Sequence, residues 1–361
     1  MVSTTLINKT DQKLLQIFED IKKSIAVIDD ITELRDIKDL ANGFEQAWRG
    51  YYKASGMGFD QMFLGWETKI RSERRMGELL KDKIKAGNPQ LSHDVTIGLD
   101  DLGITRTQSS RYQLLTKIAE NLFDKEILRI KSKFIEPTTK AILELYKNQL
   151  RNEKAEEGQS IIIPQDVNLI NDSFLKAEIE DNSLDLILTD PPYPKIDLPI
   201  WRELGKFAAL KLKPSKFLVA YTGLLYLPQV IASLSEYIDY YWTFAFIFDE
   251  NPIVSKVNII QRWKAVLIYQ KPPFKRIERT TTDLLIGGKA DKTLHNWQQA
   301  EWHAEELINR FSNPTDTVCD PMMGSGTFPY VVYKLGRKAI GIEIEENTFN
   351  IAKTRFKTGG S

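Results

Sequence analysis

The period of the hydrophobic pattern changes near residue 160. Up to about residue 155, apolar side chains recur at helical spacing, most regularly over 31–54 and 59–85, and strand-type alternation is absent. Gly87-Asn88-Pro89 stops the second of these helices, and two further helices are expected over about 125–134 and 138–149, the latter after Pro137. The stretch 151–160 is polar and aperiodic, a frayed helix end or a linker, and it sets a boundary between a helical domain, 1–155, and a second domain, 156–361. Beyond it, short apolar runs alternate with amphipathic segments, the pattern of an α/β doubly wound sheet. Apolar runs lie at 161–163 and 167–170, then a helix is expected after Phe174, a strand at 184–188, a crossover helix at 201–212, a strand at 216–221 and a helix at 227–237. Residues 240–248 and 263–269 read as an antiparallel pair around a polar loop, 249–256, and 271–294 is turn-rich. The order then returns to helix 302–311, strand 317–319, helix 328–335, strand 338–343 and helix 347–356.

Composition narrows the class. A length of 361 residues with 42 % apolar content suits about two domains with sizeable cores. Net charge is zero, and cutting at residue 160 leaves 26 basic and 25 acidic residues before the cut and 23 and 24 after it, so nucleic acid must be gripped by local patches. One such patch is 69–85, with seven basic and three acidic residues; a solvated helix face and a phosphate-contacting face both account for it. The single cysteine, Cys319, excludes an internal disulfide and fits a reducing compartment. No apolar run reaches the ~18 residues of a spanning helix and no signal-peptide pattern opens the chain, which predicts a cytoplasmic protein without membrane contact. With three histidines, no metal cluster is expected.

Two stretches carry chemistry. The apolar run 184–188 reads as a buried parallel strand, and it ends in Asp190-Pro191-Pro192-Tyr193. Proline cannot continue a strand interior, so the chain leaves the sheet there, and the carboxyl ends of strands are where open α/β sheets bind ligands. The second stretch is Asp320-Pro321-Met322-Met323-Gly324-Ser325-Gly326-Thr327, between a strand and a helix. Its glycines let backbone approach a ligand, and Glu343 ends the following strand, 17 residues after Gly326, where a carboxylate can accept from both hydroxyls of a ribose. Asp320 can face a ligand's charged amino acid part, directly or through water.

Asp-Pro-Pro-Tyr resembles the catalytic motif of the amino-methyltransferases, which methylate an exocyclic amine of a DNA base with S-adenosylmethionine. The glycine stretch resembles the cofactor motif of the same enzymes, and the order of the two resembles the β-class of DNA amino-methyltransferases over 165–358. The resemblance implies a circularly permuted, Rossmann-like S-adenosylmethionine-dependent methyltransferase sheet preceded by an all-α domain. It implies a catalytic set of Asp190, Pro191, Pro192 and Tyr193. It also implies a cofactor site of Asp172, Asp190, His295, Asp320, Pro321, Met322, Gly324, Ser325, Gly326, Thr327 and Glu343, with Asp172 reading the adenine and His295 opening a helical cofactor motif. The family has Lys-Pro where this chain has Gln299 and Ala300, while Gln298 keeps the family's Glu or Gln.

Residues 99–112 add a candidate DNA reader. A short helix ends near Gly103, Thr105 or Thr107 caps the next one, and Ile104 sits where a helix-turn-helix buries its turn residue. Gln108, Ser109 and Arg111 then occupy the front of a recognition helix, with Arg106 beside them and Arg74 and Arg75 as phosphate partners. The segment, about 97–120, resembles helix-turn-helix regions of phage and plasmid proteins; an ordinary helical hairpin explains it as well. The expected activity is methyl transfer to adenine N6 of double-stranded DNA after base flipping, within restriction–modification. Cytosine N4 is the neighbouring reading, and a DNA-binding regulator that kept the fold without catalysis is the reading from another class. If the helical domain does not grip DNA, self-association as a homodimer is its other task.

Overall fold

A computed structural model describes residues 9–84, 99, 101–191, 198–247, 253–254, 256–278, 280–286 and 301–357. The chain divides into two compact units, Met1–Leu150 and Arg151–Ser361.

The first unit is helical: α1 (Lys9–Ser24), α2 (Ile31–Ser55), α3 (Phe59–Ile84), α4 (Arg106–Leu115), α5 (Glu120–Ser132) and the start of α6 (Thr139–Gln159). Local chemistry sets the ends. Asp30 caps α2 by accepting from the Thr32 and Glu33 N–H groups at 2.6 and 3.2 Å, and Gly56 ends it in the left-handed region at φ 71°. Met62, Phe63, Trp66 and Ile70 of α3 are fully buried at three- and four-residue spacing and pack with Phe123, Ile127 and Ile130 of α5.

Part of the basic run on α3 serves this interior. Lys69 pairs with buried Glu45, Arg71 with buried Glu67 at 2.9 Å and with Asp124 at 2.8 Å, and Arg75 with Asp29 at 2.9 Å. Lys69 and Arg71 face buried carboxylates, whereas Asp29, the partner of Arg75, is exposed. Buried carboxylates need ionic partners, and the run supplies them.

The second unit contains β1 (Val167–Ile170), β2 (Leu184–Thr189), α7 (Leu198–Lys211), β3 (Leu212–Thr222), α8 (Leu227–Ser235), β4 (Asp239–Ile247), β5 (Ile253–Val254), β6 (Ile259–Ile260), β7 (Trp263–Gln270), β8 (Leu284–Ile286), α9 (Trp302–Phe311), β9 (Thr317–Asp320), α10 (Thr327–Lys334), β10 (Lys338–Ile342) and α11 (Glu346–Lys353). Eight strands form one sheet in the order β1-β10-β9-β2-β3-β7-β4-β8. All neighbours are parallel except around β7, which runs antiparallel to β3 and β4. This is the expected α/β, Rossmann-like class in its permuted form, since β9 comes late in the chain yet lies against β2 in mid-sheet.

Every residue of β2 is buried, as a strand covered on both faces requires. Leu186 and Leu188 join Val219, Tyr221 and the apolar faces of α9 and α10 on one side. Ile187 joins Leu218, Ala220 and the apolar faces of α7 and α8 on the other. Asp185 is the charged exception; Lys213 at 2.7 Å, Lys216 at 3.0 Å and the Thr317 N–H at 3.1 Å satisfy its carboxylate.

Several expectations need correction. The stretch 151–159 is helix, not linker, and Glu157 pairs with Lys357 at 2.6 Å. The run 161–163 forms no strand, because β10, the edge partner of β1, aligns only with 167–170. No helix follows Phe174; a turn at 174–176 leads to chain without regular structure. The polar loop after β4 holds β5, which pairs with β6 just beyond it in a two-stranded ribbon, and the turn-rich stretch yields β8. Among the described residues no helix is long and apolar enough to cross a membrane.

Candidate active site

Four neighbouring strands end in acids. Along the sheet edge, β1 runs out to Asp172, β10 to Glu343, β9 to Asp320 and β2 to Asp190. The register makes this a row at one edge, because Ile170 aligns with Ile342 and Gly341 with Asp320, while Ile187 aligns with Cys319. Like charges lined up at strand ends repel one another unless a ligand or protein donors compensate them.

The glycine turn follows β9. Gly324 and Gly326 both have positive φ, 51° and 78°, where a side chain is strained. A Cβ on Gly326 would lie 2.8 Å from the Ala352 Cβ, whereas one on Gly324 would meet nothing within 4 Å among the described residues. Gly326 therefore lets the turn pack on α11, and Gly324 keeps backbone bare beside open space at the start of α10. Glu343 ties the turn down: its Oε2 accepts the Gly324 N–H at 3.0 Å and its Oε1 the Glu345 N–H at 2.9 Å. The Asn171 side-chain amide donates to the Glu343 carbonyl at 2.8 Å, joining the end of β1 to the end of β10, and Asp172 accepts the Ser173 N–H at 2.6 Å.

Asp320 is buried and accepts the Met322 N–H at 3.1 Å. Burial pushes its carboxyl up to about 7, hydrogen bonds such as the one from Met322 offsetting only part, and the nearby Asp190 and Glu343 charges push the same way. A cation placed against it would favour the ionised form. Pro321 is buried, and Met322 is half-buried against the core that holds α7 and α8.

At the end of β2, Asp190 is partly exposed and its Oδ2 accepts from Lys264 Nζ at 3.2 Å. Lys264 lies on β7, two strands away, and its ammonium sits 5.1 Å from the centre of the Tyr221 ring. The Tyr221 hydroxyl is 2.6 Å from His303 Nδ1. Burial lowers the His303 pKa to about 4, with Lys264 acting in the same direction. The motif reading did not find Lys264, Tyr221 or His303, since they are scattered over β7, β3 and α9 and share no short spacing.

It did not find Arg355 either. The Arg355 guanidinium donates to the Ser325 carbonyl at 2.6 Å and to Thr327 Oγ1 at 2.9 Å, and Glu301 lies 3.8 Å from it. The two turn residues assigned to the cofactor are thus braced from behind. Pro191 is buried directly after Asp190; Pro192, Tyr193, His295, Gln298, Gln299 and Ala300 lie outside the described residues.

The residues assigned to DNA fare differently. Arg74 donates to the Leu115 and Ile118 carbonyls at 2.7 and 2.9 Å and stacks 4.8 Å from the Phe123 ring centre, so it closes the end of α4 and does not reach outward. Arg75 donates to the Ile28 carbonyl at 3.1 Å besides its pairs with Asp29 and Glu78. Arg111 pairs with buried Glu73 at 2.7 Å, and Ser109 is buried under Gln113. Gln108 completes a capping box with Thr105, its Oε1 accepting the Thr105 N–H at 2.9 Å. All five side chains have partners within the unit, the bonds of Gln108 to Thr105 and of Arg75 to Asp29 lying at exposed positions. Arg106 is exposed, with Thr107 and Ser110 on the same outward side of α4, and Gly103 turns the chain into this helix at φ 63°.

Residues 275–354 match a family model described as DNA methylase, a span that includes the glycine turn, Asp320 and Glu343. The type II methyltransferase M.HpaI of Haemophilus parainfluenzae is 24 % identical over 234 residues, 53 % of this chain and 74 % of that protein. The type II methyltransferase M2.LlaDCHI of Lactococcus lactis subsp. cremoris is 39 % identical over 67 residues, 19 % of this chain and 25 % of that protein. Among solved structures, the M1.HpyAVI–SAM complex aligns with 53 % of this chain at 21 % identity and a TM-score of 0.42. The cytosine-N4-specific PvuII DNA methyltransferase aligns with 56 % at 16 % identity and a TM-score of 0.46.

Proposed function

We propose that this chain is an S-adenosylmethionine-dependent DNA methyltransferase of the amino type, acting on adenine N6. The observation that carries the reading is the row of four acid-ended strands around a bare glycine turn, in a stretch that matches the DNA methylase family.

The residues present fit the cofactor. Gly324 offers bare backbone beside open space, Glu343 offers a carboxylate for ribose hydroxyls at the turn, Asp320 a buried carboxyl for the ammonium of the methionine part, and Asp172 an acceptor for the adenine end. When bound, S-adenosylmethionine supplies an electrophilic methyl group on a sulfonium.

The rest is done by the chain. A base amine is a weak nucleophile because its lone pair is delocalised into the ring. Asp190 accepts one amine hydrogen and the carbonyl of Pro191 or Pro192 the other, which holds the nitrogen near sp³ geometry. As positive charge grows on nitrogen, these fixed acceptors stabilise it without reorganising, and alignment with the methyl group supplies much of the remaining acceleration. Tyr193 stacks on the flipped base, offsetting an unstacking cost of roughly a few kcal/mol. An acid at position 190, where cytosine-specific relatives of this motif favour serine, supports adenine over cytosine.

The helical unit supplies part of the DNA grip, with Arg106 on the outward side of α4 as its first contact. Duplex DNA incubated with the protein and S-adenosylmethionine, then digested to nucleosides and weighed by mass spectrometry, tests the reading. N6-methyladenine is the expected product. N4-methylcytosine would reassign the target base, and unmodified DNA over many site-varied substrates would remove the enzyme reading.

A further inference from the structure

Asp190 is not held by its own strand alone. β7 runs antiparallel beside β3, and the register that pairs Thr222 with Ala265 brings the preceding residue, Lys264, to the same edge of the sheet as Asp190. There Lys264 Nζ donates to Asp190 Oδ2 at 3.2 Å across a sequence separation of 74 residues. A second contact confines the ammonium: the Tyr221 ring centre lies 5.1 Å away. Tyr221 is itself fixed, since it is fully buried, stacks with Phe328 at 5.9 Å and meets His303 Nδ1 at 2.6 Å. Burial keeps both the phenol and the imidazole uncharged near neutral pH, so the lysine faces no second full cation from this pair.

Taking the methyl-transfer reading of the site as its basis, we propose that Lys264 is a positioning residue: clamped between the Tyr221 ring and Asp190, it fixes the orientation of the carboxylate that receives the substrate amine. A carboxylate accepts about four hydrogen bonds, so a lysine donor on Oδ2 does not by itself exclude the amine. Without the ammonium, the Asp190 carboxylate loses a fixed donor at the point where about 1 Å of misplacement can cost on the order of a hundredfold in rate.

Two measurements on the full chain test this. The first compares wild type with Lys264→Met and Lys264→Arg in steady-state methyl transfer. The expected result is a kcat lowered by about 10- to 100-fold in Lys264→Met with the KM for DNA little changed, and partial recovery in Lys264→Arg. A raised KM with unaltered kcat would make Lys264 a DNA contact and overturn the proposal, as would full activity of Lys264→Met. Lys264→Gln replaces the methionine variant if the latter does not fold. The second measurement is independent of activity: thermal unfolding of Lys264→Met, Asp190→Asn and the double variant. Non-additive shifts in midpoint are expected, and additive ones would deny the contact. A wild-type protein that transfers no methyl group would remove the functional reading, and the unfolding cycle would still decide whether the clamp exists.

Discussion

Glu343 Oε2 receives the backbone N–H of Gly324 at 3.0 Å, so the acid that ends one strand fastens the glycine turn that ends its neighbour. The side chain proposed to receive ribose hydroxyls therefore also shapes the turn those hydroxyls lie against. Replacing Glu343 by alanine removes both contributions. A hydrogen bond to a charged group is worth about 1.5–3 kcal/mol, so S-adenosylmethionine binding is expected to weaken roughly tenfold to a hundredfold by calorimetry. Glu345 does not take over the role, because its carboxylate already caps α11 through the Thr348 N–H at 3.1 Å. An unchanged dissociation constant in Glu343→Ala would mean the cofactor is held in another pose.

Asp320 makes cofactor binding depend on pH. Burial raises its carboxyl from the ordinary 3.8 to about 7, so below that value the free protein holds a proton there. A ligand ammonium is bound by the ionised form, and binding must then expel the proton. Affinity for S-adenosylmethionine is expected to rise between about pH 6 and 8, with proton release on the acidic side, which calorimetry in buffers of different ionisation enthalpy detects. Asp320→Asn should flatten the dependence and weaken binding. A wild-type affinity that falls as pH rises through 7 would reverse the assignment.

On the helical unit, the two arginines of the original DNA set that differ most in setting are Arg74 and Arg106. Arg106→Ala should reduce the slope of log affinity against log salt by about one unit and leave thermal stability nearly unchanged. Arg74→Ala should lower the stability of the helical unit, since two carbonyls at the end of α4 lose their donor, and leave the salt slope alone. The opposite pairing of effects would return Arg74 to the DNA surface.

How far the sequence could be read depended on the range of the signal. The helices of the first unit were legible because Met62, Phe63, Trp66 and Ile70 repeat at helical spacing within one segment. β2 and its exit at Asp190 were legible because an unbroken apolar run meets two prolines. The glycine turn was legible for the same local reason. Partnerships between distant segments were not. Nothing near Arg74, Arg75 or Arg111 announces that distant backbone carbonyls or a buried glutamate will claim them, so their spacing left a solvated face and a phosphate-contacting one equally open. Lys264 and Arg355 reach the site from β7 and from the turn after α11, and only the sheet order brings them there. The strand β8 was hidden because it pairs in parallel with β4 at an edge and needs only three residues to do so.

The central claim is that the main task of Asp190, assigned to both the catalytic and the cofactor set, is to receive the substrate amine. The measurement that meets it most directly is a paired one on Asp190→Ala: transfer of a labelled methyl group to duplex DNA, and the S-adenosylmethionine dissociation constant of the same preparation. The account predicts that transfer disappears while the dissociation constant changes by less than about threefold, since loss of a catalytic acceptor need not disturb ground-state binding. Equal loss of transfer and cofactor binding, or transfer that persists at the wild-type rate, would contradict it.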